Sequence, residues 1–197
     1  MKKALIGLMI GLLVMMGTVA RAADAALDAY NAAVAMWVAG KHTDAVTAFK
    51  QLPKDYPDAK VGILVAAQSF IGQDYFWHQK AYIEAEAVFA GILTNFPAAH
   101  AQQKLTAQTY RGLSLEKLNR PAEANVAWMA GIEDSVSVLG ATNEVKGVWS
   151  VFNKIQPQLI PAARYKEFLE TVIRATKATE ANAAFLGRVK SELEKMK

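Results

Sequence analysis

The chain has 197 residues, 53% of them hydrophobic, with 22 basic and 18 acidic side chains and no cysteine. The missing cysteine excludes disulfides, a lipoprotein anchor, CxxCH haem attachment and thiolate metal sites. Three basic groups (Lys2, Lys3 and Arg21) and no acid fall in residues 1–22, so the remainder carries 19 basic against 18 acidic residues. No long basic stripe is left to hold phosphates, and nucleic acid is not an expected partner.

The first element is MKKALIGLMIGLLVMMGTVARAAD: two lysines, an apolar run from Ala4 to Ala20, then the small-x-small triplet Ala20-Arg21-Ala22. This is the pattern of a secretory signal peptide. About twenty apolar residues can also span a bilayer, so an uncleaved anchor is the competing reading. Gly7, Gly11 and Gly17 interrupt the run, and the expectation is residues 1–22 as a signal, cleaved after Ala22. The product would be periplasmic or secreted, with no stable membrane insertion. Mass spectrometry of the exported protein should then find Ala23 as its first residue, whereas a full-length membrane-embedded species would overturn the periplasmic reading.

Beyond the signal, apolar residues recur at spacings of three and four, alanine is abundant, and alternating β-branched runs are lacking. The pattern predicts helices over 24–39, 43–53, 60–79, 81–95, 100–118, 121–137, 143–156, 161–175 and 178–196. Gly40 fits a helix end, Pro57 and Pro97 cannot continue a helix, Pro121 suits a first turn, and Pro157 and Pro161 bracket a short link. The stretch DSVSVLGATN (134–143) is rich in turn formers and reads as a seam.

Two stretches, AGKHTDAVTAFKQLPKDYPDA (39–59) and QKAYIEAEAVFAGILTNFPAA (79–99), match at an offset of forty residues. Ala45 pairs with Ala85, Phe49 with Phe89 and Pro57 with Pro97, and upstream Tyr30 pairs with Phe70 and Trp37 with Trp77. A weaker copy at an offset of 39 places Ala124 and Trp128 in step with Ala85 and Phe89, without the closing proline. Repeats of twenty to fifty residues bury the apolar face of each unit on its neighbours.

Paired helices whose second member carries Ala, then an aromatic four residues on, then Pro eight further resemble the tetratricopeptide repeat (TPR). The first copy matches at Gly40, Ala45, Phe49 and Pro57; the second keeps Ala85, Phe89 and Pro97 but has Lys80 for the turn glycine; the third keeps Gly112, Ala124 and Trp128. The YP and FP endings further resemble repeats of bacterial envelope proteins. The period is forty rather than the usual thirty-four, which puts about six extra residues around KVGILV (60–65), and Gln73 stands where Ala33 and Gly112 are small. The resemblance implies an all-α, right-handed α-solenoid of about three TPR-like helix pairs over 23–138, with C-terminal capping helices over 139–197 in the same compact unit. It also implies a concave groove lined by the first helix of each pair: Tyr30-Val34-Trp37-Val38, Phe70-Asp74-Trp77-His78 and Thr109-Leu113-Glu116-Lys117.

Aromatics stacked along such a groove suit a protein or peptide partner. The candidate partner-binding residues are therefore Tyr30, Val34, Trp37, Phe70, Asp74, Trp77, His78, Glu116 and Lys117. A bland alternative makes the tryptophans packing residues. Another makes Trp37, Trp77 and Trp128 the lining of a site for a small apolar or aromatic ligand. Catalysis finds little support. Asp74 and His78 are spaced as a helical i,i+4 pair, and HExxH, GxSxG, P-loop and GxGxxG patterns are absent from the sequence. No enzyme, cofactor or metal site is expected. The last helix places Phe185, Leu186, Val189, Leu193 and Met196 on one stripe, which suits a solubilising cap, with docking to a partner or membrane surface as the alternative.

Overall fold

The computed structural model describes residues 25–139 and 145–197, and among them every regular element is helical. The apolar run 4–20 and the cleavage triplet lie outside the described residues. The helices are α1 (25–38), α2 (His42–Asp55), α3 (Val61–Trp77), α4 (Tyr82–Asn95), α5 (Ala101–Lys117), α6 (Pro121–Leu139), α7 (Val145–Phe152), α8 (Ala162–Ala175) and α9 (Ala183–Glu194), with 3₁₀ turns at Pro157–Leu159 and Glu180–Asn182. Among the described residues no helix is long and apolar enough to cross a membrane. The chain divides into two compact units, 1–71 and 72–197, with the boundary inside α3.

In the first unit the aromatic residues hold the helices together. Phe49 of α2 is fully buried and stacks on Phe70 of α3, with ring centres 4.9 Å apart and planes 6° apart. Tyr30 of α1 leans on both rings, at 5.9 and 6.3 Å. Ala33 and Ala45 are wholly buried, and at such positions a side chain of one methyl group lets helix axes approach.

The second unit repeats the device one period on. Phe89 of α4 is fully buried and stacks on Tyr110 of α5 at 5.0 Å and 13°. Gly72 lies against the edge of the same phenyl ring, where an added Cβ would stand 2.6 Å from Phe89 Cζ. The small residue that admits this ring is thus Gly72, one position before Gln73. Between α5 and α6 the pattern recurs with a larger ring. Trp128 is 1% exposed, its indole N–H donates to the Thr109 carbonyl (3.3 Å), and Gly112 faces its pyrrole edge.

The turns inside successive pairs share a left-handed residue: Gly40 (φ 77°), Lys80 (φ 54°) and Asn119 (φ 59°). Each is followed by a helix-closing bond, in which Lys41 N donates to Met36 O, Ala81 N to Tyr75 O, and Arg120 N to Leu115 O. Lys80 therefore adopts the conformation that Gly40 has freely, at a cost of the order of 1 kcal/mol. The second helices end alike too: Tyr56 N donates to Leu52 O at 2.9 Å, and Phe96 N to Ile92 O at 3.1 Å. The longer period is explained by helix length, since α3 and α5 each run 17 residues.

Within the second unit, consecutive helices α4 to α7 pack on one another, α8 packs on α6, and α9 on α8. One apolar core runs from Leu105 and Trp128 through Ile132 and Val136 to Phe168, Phe185 and Val189. Two sequence expectations change here. Residues 134–139 of the expected seam are helical, as the end of α6, and 140–143 lie outside the described residues: Val136 is buried on the helical period, and Ser135 donates its hydroxyl to the Ala101 carbonyl (3.0 Å) instead of breaking the helix. The last helix begins at Ala183 rather than 178, preceded by a 3₁₀ turn whose Asn182 N–H is accepted by the Thr179 side chain (3.3 Å). Phe185, Leu186 and Val189 of that helix are buried, so its apolar stripe is covered inside the unit.

Polar groups brace the same unit. Asn125 is fully buried, accepts the Gln156 backbone N–H at 2.8 Å and donates to the Gln156 carbonyl at 3.4 Å, tying α6 to the link before α8. Arg164 of α8 pairs with Glu133 of α6 at 2.6 Å, and Arg111 of α5 with Glu86 of α4 at 2.8 Å. The Tyr165 phenol is pushed up to about 12, chiefly by burial, and stays neutral across physiological pH.

Candidate functional site

The candidate residues divide by what their side chains touch. In the first unit Tyr30, Phe70 and Trp37 form one half-buried ring cluster. Trp37 meets Phe70 edge to face at 5.2 Å and His42 at 4.6 Å. Burial pushes the Tyr30 phenol above its ordinary value. Val34 is half-buried on the same helix. These side chains are half-buried, and the three rings pack helix against helix.

In the second unit Trp77 stands apart, 57% exposed at the end of α3. It is exposed yet fixed. Its indole N–H donates to the Tyr110 hydroxyl (3.3 Å), and that hydroxyl in turn donates to Gln73 Oε1 (3.5 Å). Phe76, buried beneath, meets Trp77 edge to face at 4.7 Å and Tyr82 at 5.4 Å. Trp77 and Tyr110 stand perpendicular, with centres 6.5 Å apart, so together they make a notch rather than a flat platform.

Asp74 is 4% exposed and accepts Gln79 Nε2 at 2.6 Å, while its backbone carbonyl receives the N–H groups of His78 and Gln79. Its carboxylate helps close the turn after α3. An oxygen of Asp74 and a ring nitrogen of the exposed His78 lie within 4.8 Å of each other. Glu116 and Lys117 are exposed in the last turn of α5.

Tyr110 is the functional candidate that sequence reasoning missed. It follows Tyr30 and Phe70 at the same offset of forty. The offset of 39 that pairs Ala124 and Trp128 with Ala85 and Phe89 puts Thr109 in its place.

On α5, one turn and two turns before Tyr110, Thr106 and Gln102 face α7 across a trough of about 190 Å³ that also touches Thr109, Ser150 and Val151. Elsewhere in this unit, α6 and the link into α8 enclose a cavity of about 310 Å³ lined by Val126, Met129, Leu159, Ile160, Pro161 and Arg164 among others. Val126 is 67% exposed at its mouth. No family model, curated protein or solved structure matches the chain.

Proposed function

We propose that the protein is a non-enzymatic, TPR-like adaptor that works in the periplasm or outside the cell. It docks a protein or peptide partner on an aromatic-lined face, in the service of cell-envelope assembly or maintenance. A right-handed solenoid stacking of about three helix pairs belongs to the same proposal. The observation that carries it is Trp77, exposed yet locked by a hydrogen bond and two edge contacts. A large ring held in one rotamer buries much area on binding and loses little freedom, which is the profile of an interface anchor.

The test begins with capture of partners by the tagged protein from its own host's envelope, followed by affinity measurement with the purified partner. Trp77→Ala should weaken that binding by about 2 kcal/mol or more and leave the melting temperature nearly unchanged. A melting temperature that falls as far as that of Phe89→Ala would make Trp77 a packing residue and remove the docking face.

A second reading, a binding protein for a small apolar ligand, is favoured by the cavity between α6 and α8, whose volume reaches the range of ligand pockets. Neither Trp77 nor Trp128 lines it, so its walls are mainly aliphatic. Val126→Lys, at the mouth, should then abolish uptake of a neutral naphthalene fluorophore. Equal uptake by both proteins would leave this reading without a site.

A further inference from the structure

We propose that the trough between α5 and α7, continued by Tyr110 and Trp77, takes an uncharged stretch of extended polypeptide, with one aromatic or aliphatic side chain seated in the ring notch. This rests on the docking reading and narrows it to a ligand chemistry. Among the described residues no charged side chain lines the trough, although charged residues make up 20% of the chain. An ion brought into it would shed hydration against described walls that hold no counter-charge, and that is unfavourable. At about 190 Å³ the trough is also smaller than the pockets that enclose small molecules. It has room for a stretch of backbone or a side chain.

Its polar atoms are sorted for such a stretch. Thr106 donates its hydroxyl to the Gln102 carbonyl (2.9 Å) and Thr109 to the Leu105 carbonyl (2.6 Å). Both hydrogens are committed to the helix, so these oxygens offer lone pairs and accept from an occupant's N–H groups. The Gln102 amide lies over Gly147, its Nε2 and Oε1 atoms 3.7 and 3.9 Å from where a Cβ would stand, and an amide can both donate and accept. An extended backbone offers the complementary set, one N–H and one carbonyl per residue. The notch decides against an oligosaccharide. A sugar ring stacks on an open aromatic face, whereas Trp77 and Tyr110 meet at 90° and leave a corner that receives a projecting side chain.

The experiment selects a random displayed peptide library on the purified protein. It then measures the affinities of the enriched peptides for the parent protein and for Trp77→Ala, Ser150→Lys and Ser150→Glu, alongside an array of neutral oligosaccharides. Ser150 is exposed on α7, so neither charge disturbs the core, and Gln102→Lys repeats the test from the α5 side. The expected peptides carry an aromatic or aliphatic residue and no charge. Both Ser150 variants should weaken them by about tenfold, and Trp77→Ala by about thirtyfold. Opposite responses to lysine and glutamate would mean a charged ligand and overturn the proposal while sparing the docking face. Peptides lost with Trp77→Ala but indifferent to Ser150 and Gln102 substitutions would place the occupant outside the trough, with the same consequence. Failure to enrich peptides, or enriched peptides indifferent to Trp77→Ala, would overturn the proposal, while the docking reading falls only if the captured partner is also indifferent to Trp77→Ala. Oligosaccharide binding that both Ser150 variants abolish would replace the peptide by a glycan.

Discussion

Phe89→Ala should destabilise the protein by about 3–5 kcal/mol, the cost of removing a fully buried phenyl ring whose surroundings cannot collapse. The ring is held at a face and at an edge. Tyr110 stacks on one face, and Gly72 leaves the space into which its edge fits. Removing it forfeits burial, forfeits the stacked pair and leaves a cavity between two helices that the backbone keeps apart. Urea unfolding followed by tryptophan fluorescence reads the change in the second unit, which contains Trp77, Trp128 and Trp149. A loss under about 1 kcal/mol would show that the site relaxes around the deletion. Tyr110 would then be free to move, and the fixed position of Trp77 would lose its support. The stability result therefore bears on the docking face as well as on the core.

The same rings show how far the sequence alone reaches. Ala45, Phe49, Ala85, Phe89, Ala124 and Trp128 recur at one spacing because helix pairs must interlock, and all six are buried. Steric repetition of this kind leaves a trace that survives in a single chain. The register between helices leaves a fainter one. Gly72 and Gly112 lie forty residues apart, whereas Lys80 and Asn119 lie 39 apart, so the third period loses one residue between position 112 and its turn. Aligning the third copy from its second helix carries that missing residue backwards, and it exchanges Tyr110 for Thr109. Lys80 is opaque for a different reason. Its left-handed backbone is imposed by the helix ends on either side, and nothing in a lysine announces it. Nor does residue type separate Trp37, which is packed on Phe70, from Trp77, which is open to solvent. The two stand at equivalent places in the repeat, and exposure depends on what each neighbouring helix happens to bring. Tertiary context likewise decides 134–139, where turn-forming residues are absorbed into α6 because Ile132 and Val136 continue its buried face.

Gly112→Ala and Gly187→Ala make the same chemical change inside helices and should move stability in opposite directions. Each exchanges glycine for the best helix former, a gain of about 1 kcal/mol when nothing opposes it. Nothing lies within 4 Å of the new methyl group at Gly187, an exposed position of α9, so that variant should be more stable by up to about 1 kcal/mol. At Gly112 the added Cβ would fall 2.1 Å from Trp128 Nε1 and 2.5 Å from Cδ1. The indole has little room to retreat, because it is 1% exposed and its N–H is held by the Thr109 carbonyl. Either α5 and α6 move apart or the ring leaves its rotamer, and overpacking of this kind costs about 3 kcal/mol. The propensity gain offsets only part of that cost, so Gly112→Ala should unfold at clearly lower urea than the parent. The double variant Gly112→Ala/Trp128→Leu identifies the cause: if the clash is responsible, the alanine costs much less once the indole is gone, and the two effects are strongly non-additive. An alanine that costs the same with and without Trp128 would show that Gly112 is required for some reason other than room for the indole.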